Sequence, residues 1–344
     1  MLDKQQIHTL IKLDDHSATP KYQQLANAIV HAISTGKLVK NDVLPSINEL
    51  SFEFEISRDT AEKGYRHLKN LGILGSVPGK GFYIKDAAVN PQLKIFLLFN
   101  KLSAHKKIIY DALVARLEQQ AAIDFYIYNN DYALFKKLIL NAGTTYTHYI
   151  TIPHFMEGGE HAHEILNTLD KNKLILLDKL VPGVSGNFAA VYENFEQDIY
   201  QALEQALGRL QRYQKLKIIF PEHTYFPQEI VTGFNRFCKH YQVAGQVISE
   251  IAGSQLARGD VFITLLENDL VTLIEQLLHS RLVPGRDVGV ISYNETPLKR
   301  IILNGITTFS TDFQQMGETV ADLILHPQIN QVAIPFSVNL RPSL

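Results

Sequence analysis

The apolar residues of this chain recur with two different rhythms, and the change between them divides it. Near the start, Tyr22, Leu25, Ala26, Ile29 and Ile33 fall on one face of a helix that begins at Pro20 and is closed by Gly36. Ser46 followed by Glu49 has the spacing of a reciprocal cap, in which hydroxyl and carboxylate satisfy the free amides of a helix start, so a short helix is expected to about Phe54. Ser57 offers a second cap. Ala61, Tyr65, Leu68 and Leu71 then form the inward stripe of a longer helix ended by Gly72. Two apolar runs follow, 73–77 and 82–84, joined by Pro78, Gly79, Lys80 and Gly81, which is hairpin chemistry with a cation at its tip.

From Leu93 the texture is different. Short apolar runs at 94–99, 123–128, 149–152, 174–177, 216–220, 261–265 and 288–292 alternate with segments of helical period at 104–120, 194–211, 228–240 and 268–279. Such alternation implies parallel sheets covered by helices on both faces, with binding sites at the carboxyl ends of the strands. The expected organisation is therefore a small head at 1–86, a polar linker at 87–92 and an α/β body at 93–344.

The order of elements in the head is that of a winged helix-turn-helix, whose second helix reads DNA and whose β-ribbon reaches a groove or phosphates. Arg58 and Thr60 stand in the first turn of the reading helix, and an arginine there can fork onto guanine O6 and N7. Composition refines this picture. With 46% hydrophobic and 20% charged residues the chain belongs to the ordinary globular class, and its net charge of −2 excludes general stickiness to nucleic acid. DNA affinity must come from local clustering, and Arg58, Lys63, Arg66, Lys69 and Lys80 against Asp59 and Glu62 provide a mild excess. The single cysteine, Cys238, excludes an intrachain disulfide framework and a cysteine zinc cluster, as suits a reducing cytoplasm. Residues 1–19 lack both a basic start and a long apolar run, so they are expected to be a loosely packed arm, neither export signal nor membrane anchor.

Taken with the preceding 20–38, the segment 44–84 resembles the GntR family of bacterial repressors: LPS at Leu44 to Ser46, SR at Ser57 and Arg58, Thr60, and GxGxF at Gly79 to Phe82 match its signatures. Together the helix caps, the reading helix and the resemblance nominate Ser46, Asn48, Ser57, Arg58, Thr60, Lys63, Arg66, Gly79, Lys80 and Gly81 as DNA contacts. Asn48 is a departure, because the family usually has an arginine there. Asparagine can still pair with adenine or a phosphate.

A second resemblance covers the body. LLDKLVPG from Leu176, GF at Gly233, END at Glu267, RLVPGRDVGVISYNETP from Arg281 and GITTFSTDFQQMGETVADLIL from Gly305 look like the sensor of LacI/GalR repressors, which has the two-lobed periplasmic-binding-protein fold. That resemblance implies one lobe built from roughly 93–191 plus a piece around 295–325, the other lobe from the rest, and three strands crossing between them. A GntR head on this sensor is a combination represented by arabinose and fucose repressors.

What the resemblance implies for a sugar effector lies on strand-end loops. The loop after the first strand brings Lys101, Ser103, His105 and Lys106, and further on stand Asn268 and Asp269, then Asn294 and Glu295. Asn294 occupies the place of an aspartate that grips sugar hydroxyls in the family, and no arginine stands shortly before Gly233, which leaves the sugar open. Asn268 also reads as a helix cap. His154, Glu157, Glu160, His161, His163 and Glu164 imitate a metal cluster but match no metal-ligand spacing. No serine-elbow, phosphate-loop or dinucleotide motif is present. The expectation is a non-catalytic cytoplasmic repressor, without cofactor, metal or membrane association, that acts as a homodimer on double-stranded operator DNA and is released by a small sugar. A sugar-processing α/β enzyme with an appended head is the alternative.

Overall fold

The computed structural model describes residues 4–77, 81–87, 93–118, 120–251 and 256–344. The head contains α1 (Lys4–Leu10), α2 (Lys21–Ser34), α3 (Ile47–Glu53), α4 (Arg58–Asn70), β1 (Leu74–Val77) and β2 (Gly81–Ile84). Both expected caps form: Ser46 and Glu49 exchange reciprocal bonds across the start of α3, and Ser57 accepts from the Thr60 amide at the start of α4. Gly72 has a φ of +75°, the left-handed turn that lets the chain leave α4 and enter β1. β1 and β2 pair antiparallel. Residues 78–80, and with them Gly79 and Lys80, lie outside the described residues, as do 88–92 of the linker.

The beginning of the chain departs from the loose arm read from sequence. Residues 4–10 are helical, and Ile7 and Ile11 are buried in the same core as Leu25, Ile29 and Leu68. The four-residue spacing of the two isoleucines supplies a one-sided apolar face too short to stand out as a pattern. Beyond them, Ser17 to Thr19 run antiparallel beside Phe125 and Tyr126 of the body. The Ala18 amide donates to the Phe125 carbonyl over 2.7 Å, and the Phe125 amide donates to Thr19 Oγ1 over 2.8 Å.

The body is two six-stranded sheets. The first lobe runs β3 (Leu93–Phe99), α5 (Ala104–Leu117), β4 (Ala121–Ile127), α6 (Tyr132–Asn141), β5 (His148–Thr151), α7 (Ala162–Leu166), β6 (Leu174–Asp178) and β7 (Ala189–Tyr192). The second adds α8 (Phe195–Gln205), α9 (Leu207–Leu210), β8 (Lys215–Ile219), α10 (Glu229–Tyr241), β9 (Ala244–Ile248), β10 (Asp260–Thr264), α11 (Glu267–Leu278), β11 (Gly289–Tyr293) and β12 (Thr307–Thr311). The chain then returns with α12 (Phe313–Leu325) and β13 (Gln331–Ala333) and ends through β14 (Phe336–Asn339). The strand orders are β13-β7-β6-β5-β3-β4 and β14-β12-β11-β10-β8-β9, all parallel except β14.

The chain crosses between lobes after β7, after β12 and after β13. One part of the expected partition is corrected here. β12 pairs with β11, so 295–311 belongs to the second lobe, and only α12 and β13 return to the first. The homologous-looking block that begins at Gly305 straddles a crossing, and no local period marks where the chain changes sheets. β9 was not read as a strand because it is an edge whose side chains are mostly exposed.

Two glycines set helix packing. A Cβ on Gly317 of α12 would lie 2.4 Å from the Ile109 carbonyl oxygen of α5, and one on Gly233 of α10 would lie 2.2 Å from the Glu196 carbonyl oxygen of α8. Each pair of helices is therefore in backbone contact, which explains the glycine of the GF motif by geometry.

Because β4 is the edge of its sheet, the Ser17 to Thr19 segment supplies its missing neighbour and fastens the head to the first lobe. Thr19→Val keeps the shape but removes the acceptor for the buried Phe125 amide, a loss of about 1 to 3 kcal/mol. Hydrogen exchange at Phe125 is expected to quicken at least tenfold; unchanged protection would mean that the head does not dock there.

Candidate DNA interface and effector cleft

On the head, α4 turns Ala61, Gly64, Tyr65 and Leu68 inward and leaves Arg58, Lys63 and Arg66 exposed. The charged residues are not equivalent. Lys63 pairs with Asp59 over 2.8 Å and Arg66 lies 3.6 Å from Glu62, both along the helix, whereas no ion pair engages Arg58 among the described residues. The hydroxyls of Ser57 and Thr60 lie 2.8 Å apart, and Ser57 caps the helix, so both are partly committed to the turn. Ser46 is likewise a cap. Asn48 and Gly81 are exposed beside them. Arg58 is thus a cation of α4 without a carboxylate partner among the described residues.

In the body, the carboxyl ends of the first-lobe strands meet the crossing segments around Asp178. This residue ends β6 with a φ of +76°, a backbone state that side chains other than glycine seldom adopt. Its carboxylate lies 3.4 Å from Lys106 Nζ and accepts from His154 Nε2 over 2.8 Å. Burial alone would raise its pKa, but the Lys106 ammonium and the His154 bond outweigh it and hold the carboxyl well below the ordinary range. Glu193, on the first crossing, is pushed the other way, toward its protonated form, by burial and by the Asp178 charge. Thr311, at the second crossing, donates to Glu193 over 2.7 Å. One buried network thus ties the first lobe to two of the three crossings.

Around the carboxyl ends of β10 and β11 and on α8, Tyr293 Oη, Asp198 Oδ2, Asn294 Oδ1 and Asp269 Oδ2 are buried without a hydrogen-bond partner among the described residues. Burial pushes the Asp198 carboxyl up to about 6 and raises Asp269 as well. Buried orphans of this kind call for a ligand or water to complete them. Asn294 sits at a φ of +63°, and its carbonyl accepts from Lys299 Nζ over 2.7 Å, so its backbone is fixed while its buried side-chain oxygen has no partner among the described residues. Across the cleft, Lys101 Nζ donates to the Tyr225 hydroxyl and lies 4.3 Å from that ring's centroid. His154 Nδ1 lies 3.3 Å from the Tyr225 carbonyl oxygen, and the loops around them enclose a cavity of about 300 Å³.

The residues nominated from sequence divide into two groups. Lys101 and His105 follow the carboxyl end of β3, where Lys101 meets Tyr225, while Asp269 and Asn294 follow β10 and β11 of the second lobe. His105 is pushed down to about 3 by burial, with Lys106 adding to it, and stays a neutral donor or acceptor. Ser103 caps α5 and lies 3.1 Å from His105 Nε2. Asn268 is exposed in the first turn of α11, whose cap position is Leu266, so the cap reading of Asn268 is corrected. Lys106 is fully committed to Asp178 and Asn100, and Glu295 to Arg341 over 2.8 Å, Arg300 and Thr308, which makes both of them braces of the site rather than free hydrogen-bonding groups. Sequence reasoning missed Asp178, Glu193, His154, Tyr225 and Tyr293. The LLDK and SYNE blocks that contain Asp178 and Tyr293 were the available signal. Of the histidine-rich segment, His154 is buried on Asp178 while His161 is exposed and held 3.1 Å from Glu164.

A winged-helix head joined to a two-lobed α/β body with a polar cleft has the architecture of a DNA-binding regulator. The chain belongs to the gntR family of bacterial regulatory proteins, whose profile matches residues 21–84. Over 111 residues it is 30% identical to the HTH-type transcriptional repressor YtrA of Bacillus subtilis, a match that takes in 32% of this chain and 83% of that repressor. It is also 32% identical over 106 residues, 31% of the chain, to the mannosyl-D-glycerate transport/metabolism system repressor MngR of Escherichia coli, but spans only 44% of that protein. The body has the fold of the Lac repressor bound to ONPG, with a TM-score of 0.62 at 16% identity over 84% of this chain and 92% of the other. Among the described residues no helix is long and apolar enough to cross a membrane.

A protonated Glu193 has a distinct pH signature. With its folded pKa raised, the unfolded chain ionises first, so stability is lost as pH rises above the ordinary glutamate value near 4.3. Glu193→Gln can still accept from Thr311 and donate to Asp178, and is expected to melt at the same or a higher temperature at pH 8. A fall of several degrees would mean that Glu193 is ionised in the fold. Lys106→Met, which leaves the buried Asp178 carboxylate without its ammonium partner, is expected to cost about 3 to 5 kcal/mol in thermal or denaturant unfolding.

Proposed function

We propose that this protein is a sequence-specific transcriptional repressor whose DNA affinity is governed by a sugar in the cleft between its lobes. The head at 1–86 serves as reader and the body at 93–344 as sensor. The observation that carries the reading is the pairing of unfinished surfaces on one chain: an exposed Arg58 in the first turn of a reading helix, and four buried polar atoms near the second-lobe strand ends, all without partners among the described residues. Hydroxyl groups of a sugar satisfy orphan acceptors such as Asn294 Oδ1 and Asp269 Oδ2, and the neighbouring His105 and Lys101 supply donors.

The family relationship supports repression as the output, since YtrA and MngR are named as repressors. It supports a binding protein over the alternative of a sugar-processing enzyme, because the buried groups around Asp178 are braced against one another rather than aimed at a substrate. Their ionised and protonated forms interlock. A cytoplasmic location follows from this role.

Operator reading is expected to involve two heads on a near-palindromic site. Exposed apolar side chains on the second lobe, Val271 and Leu278 two turns apart on one face of α11 with Leu298 and Ile301 beyond β11, support pairing through that lobe. Fluorescence anisotropy with DNA from the chain's own upstream region is the direct assay. Arg58→Ala is expected to weaken binding by about 1 to 3 kcal/mol and to relax the preference at one base pair per half-site. Unchanged affinity and specificity would remove α4 from the major groove.

A further inference from the structure

The polarity of the cleft is uneven. Its second-lobe side offers acceptors that lack donors, Asp269 Oδ2 and Asn294 Oδ1. Its first-lobe side offers cations. Lys106 is neutralised by Asp178, and Lys299 on the far side by Glu267 over 2.9 Å, but neither Lys101 nor Lys179 has a carboxylate partner among the described residues. Both belong to one place: Lys179 lines the cavity of about 300 Å³ that Tyr225 also lines, and Lys101 donates to the Tyr225 hydroxyl. The one acidic residue lining that cavity, Glu229, is exposed at the start of α10 and pairs with neither lysine.

Lys101 is half-buried, and burial together with the Lys106 charge pulls its pKa down, the mark of a cation lacking a counter-charge. The first backbone amides of α5, which begins three residues after Lys101, have no intrahelical acceptor and also favour negative charge. Independently, the Tyr293 hydroxyl, on a side chain only 3% exposed, lacks a partner while facing Asp178, Glu193 and Asp198. A neutral sugar satisfies these orphan polar atoms and leaves the lysines bare.

Resting on the reading of the cleft as a sugar site, we propose that its ligand is an anionic sugar, a phosphate ester or a sugar acid, with its hydroxyls on Asp269 and Asn294 and its charged group between Lys101 and Lys179. Closure over the anion replaces the contact between Lys101 and Tyr225 with a charge-assisted one, and Tyr225 remains available as a further donor.

Calorimetry or thermal shift on the full chain tests this with matched probes: D-glucose, D-glucose 6-phosphate, D-gluconate and D-glucuronate, and D-ribose with D-ribose 5-phosphate. At least one anionic probe is expected to bind tenfold or more tighter than its neutral parent, and the phosphate and carboxylate arms tell which anion is meant. That preference is expected to collapse toward unity in Lys101→Met and Lys179→Met, to persist in Lys101→Arg, and to weaken with added salt. A neutral parent binding as tightly as its anionic form, or a preference untouched by both methionine variants, overturns the inference and leaves the sugar site standing. No response to any probe overturns both.

Discussion

A single buried carboxylate ties the first lobe of the body to the crossings between its lobes. Asp178 ends a first-lobe strand in a left-handed backbone state, and from there it engages Lys106 of α5 and His154 beyond β5. Through Glu193 and Thr311 the same cluster reaches two crossings between the lobes. Removing a buried charge from its partners is costly, whereas moving the whole set as a unit is not. The hinge is therefore free to flex only in ways that leave this cluster intact, and the cleft that opens above it inherits a floor of fixed geometry.

The second constraint is mechanical continuity between that lobe and the head. Ser17 to Thr19 extend the β4 edge, and α2 starts at Lys21, so the helix that buttresses the reading helix is bonded almost directly to the first-lobe sheet. Gln24 adds to the junction by donating to the Thr19 carbonyl over 2.7 Å, and Asn27 Nδ2 lies 3.4 Å from the Ile123 carbonyl oxygen. A rotation of the first lobe would act on the head through these backbone bonds. In a paired regulator, such a rotation alters the separation of two reading helices that must sit about 34 Å apart to engage successive turns on one face of DNA.

Much of this was legible from sequence because it is local. The caps at Ser46 and Ser57 and the glycine after α4 are chemical statements about neighbouring residues, and the buried strands announce themselves as continuous apolar runs. Asp269 and Asn294 were reached by resemblance, and the structure gives their physical content as unsatisfied buried oxygens. What stayed hidden is long-range. The Asp178 cluster gathers residues from 106 to 311, the crossing after β12 has no period of its own, and Ser17 to Thr19 become strand-like only because an edge lies beside them. Lys106 and Glu295 illustrate the remaining difficulty: sequence shows that a charge is present near a site, but only the fold shows that it is already spent.

Coupling between cleft and head is reciprocal: a ligand that weakens operator binding must itself be bound more weakly when operator is present, by the same factor, typically about 5 to 150-fold. The decisive measurement is therefore the affinity of the cleft for its sugar with and without saturating operator DNA. The account requires weaker sugar binding on DNA by the factor with which the sugar weakens the DNA complex. Equal affinities in the two conditions would contradict it.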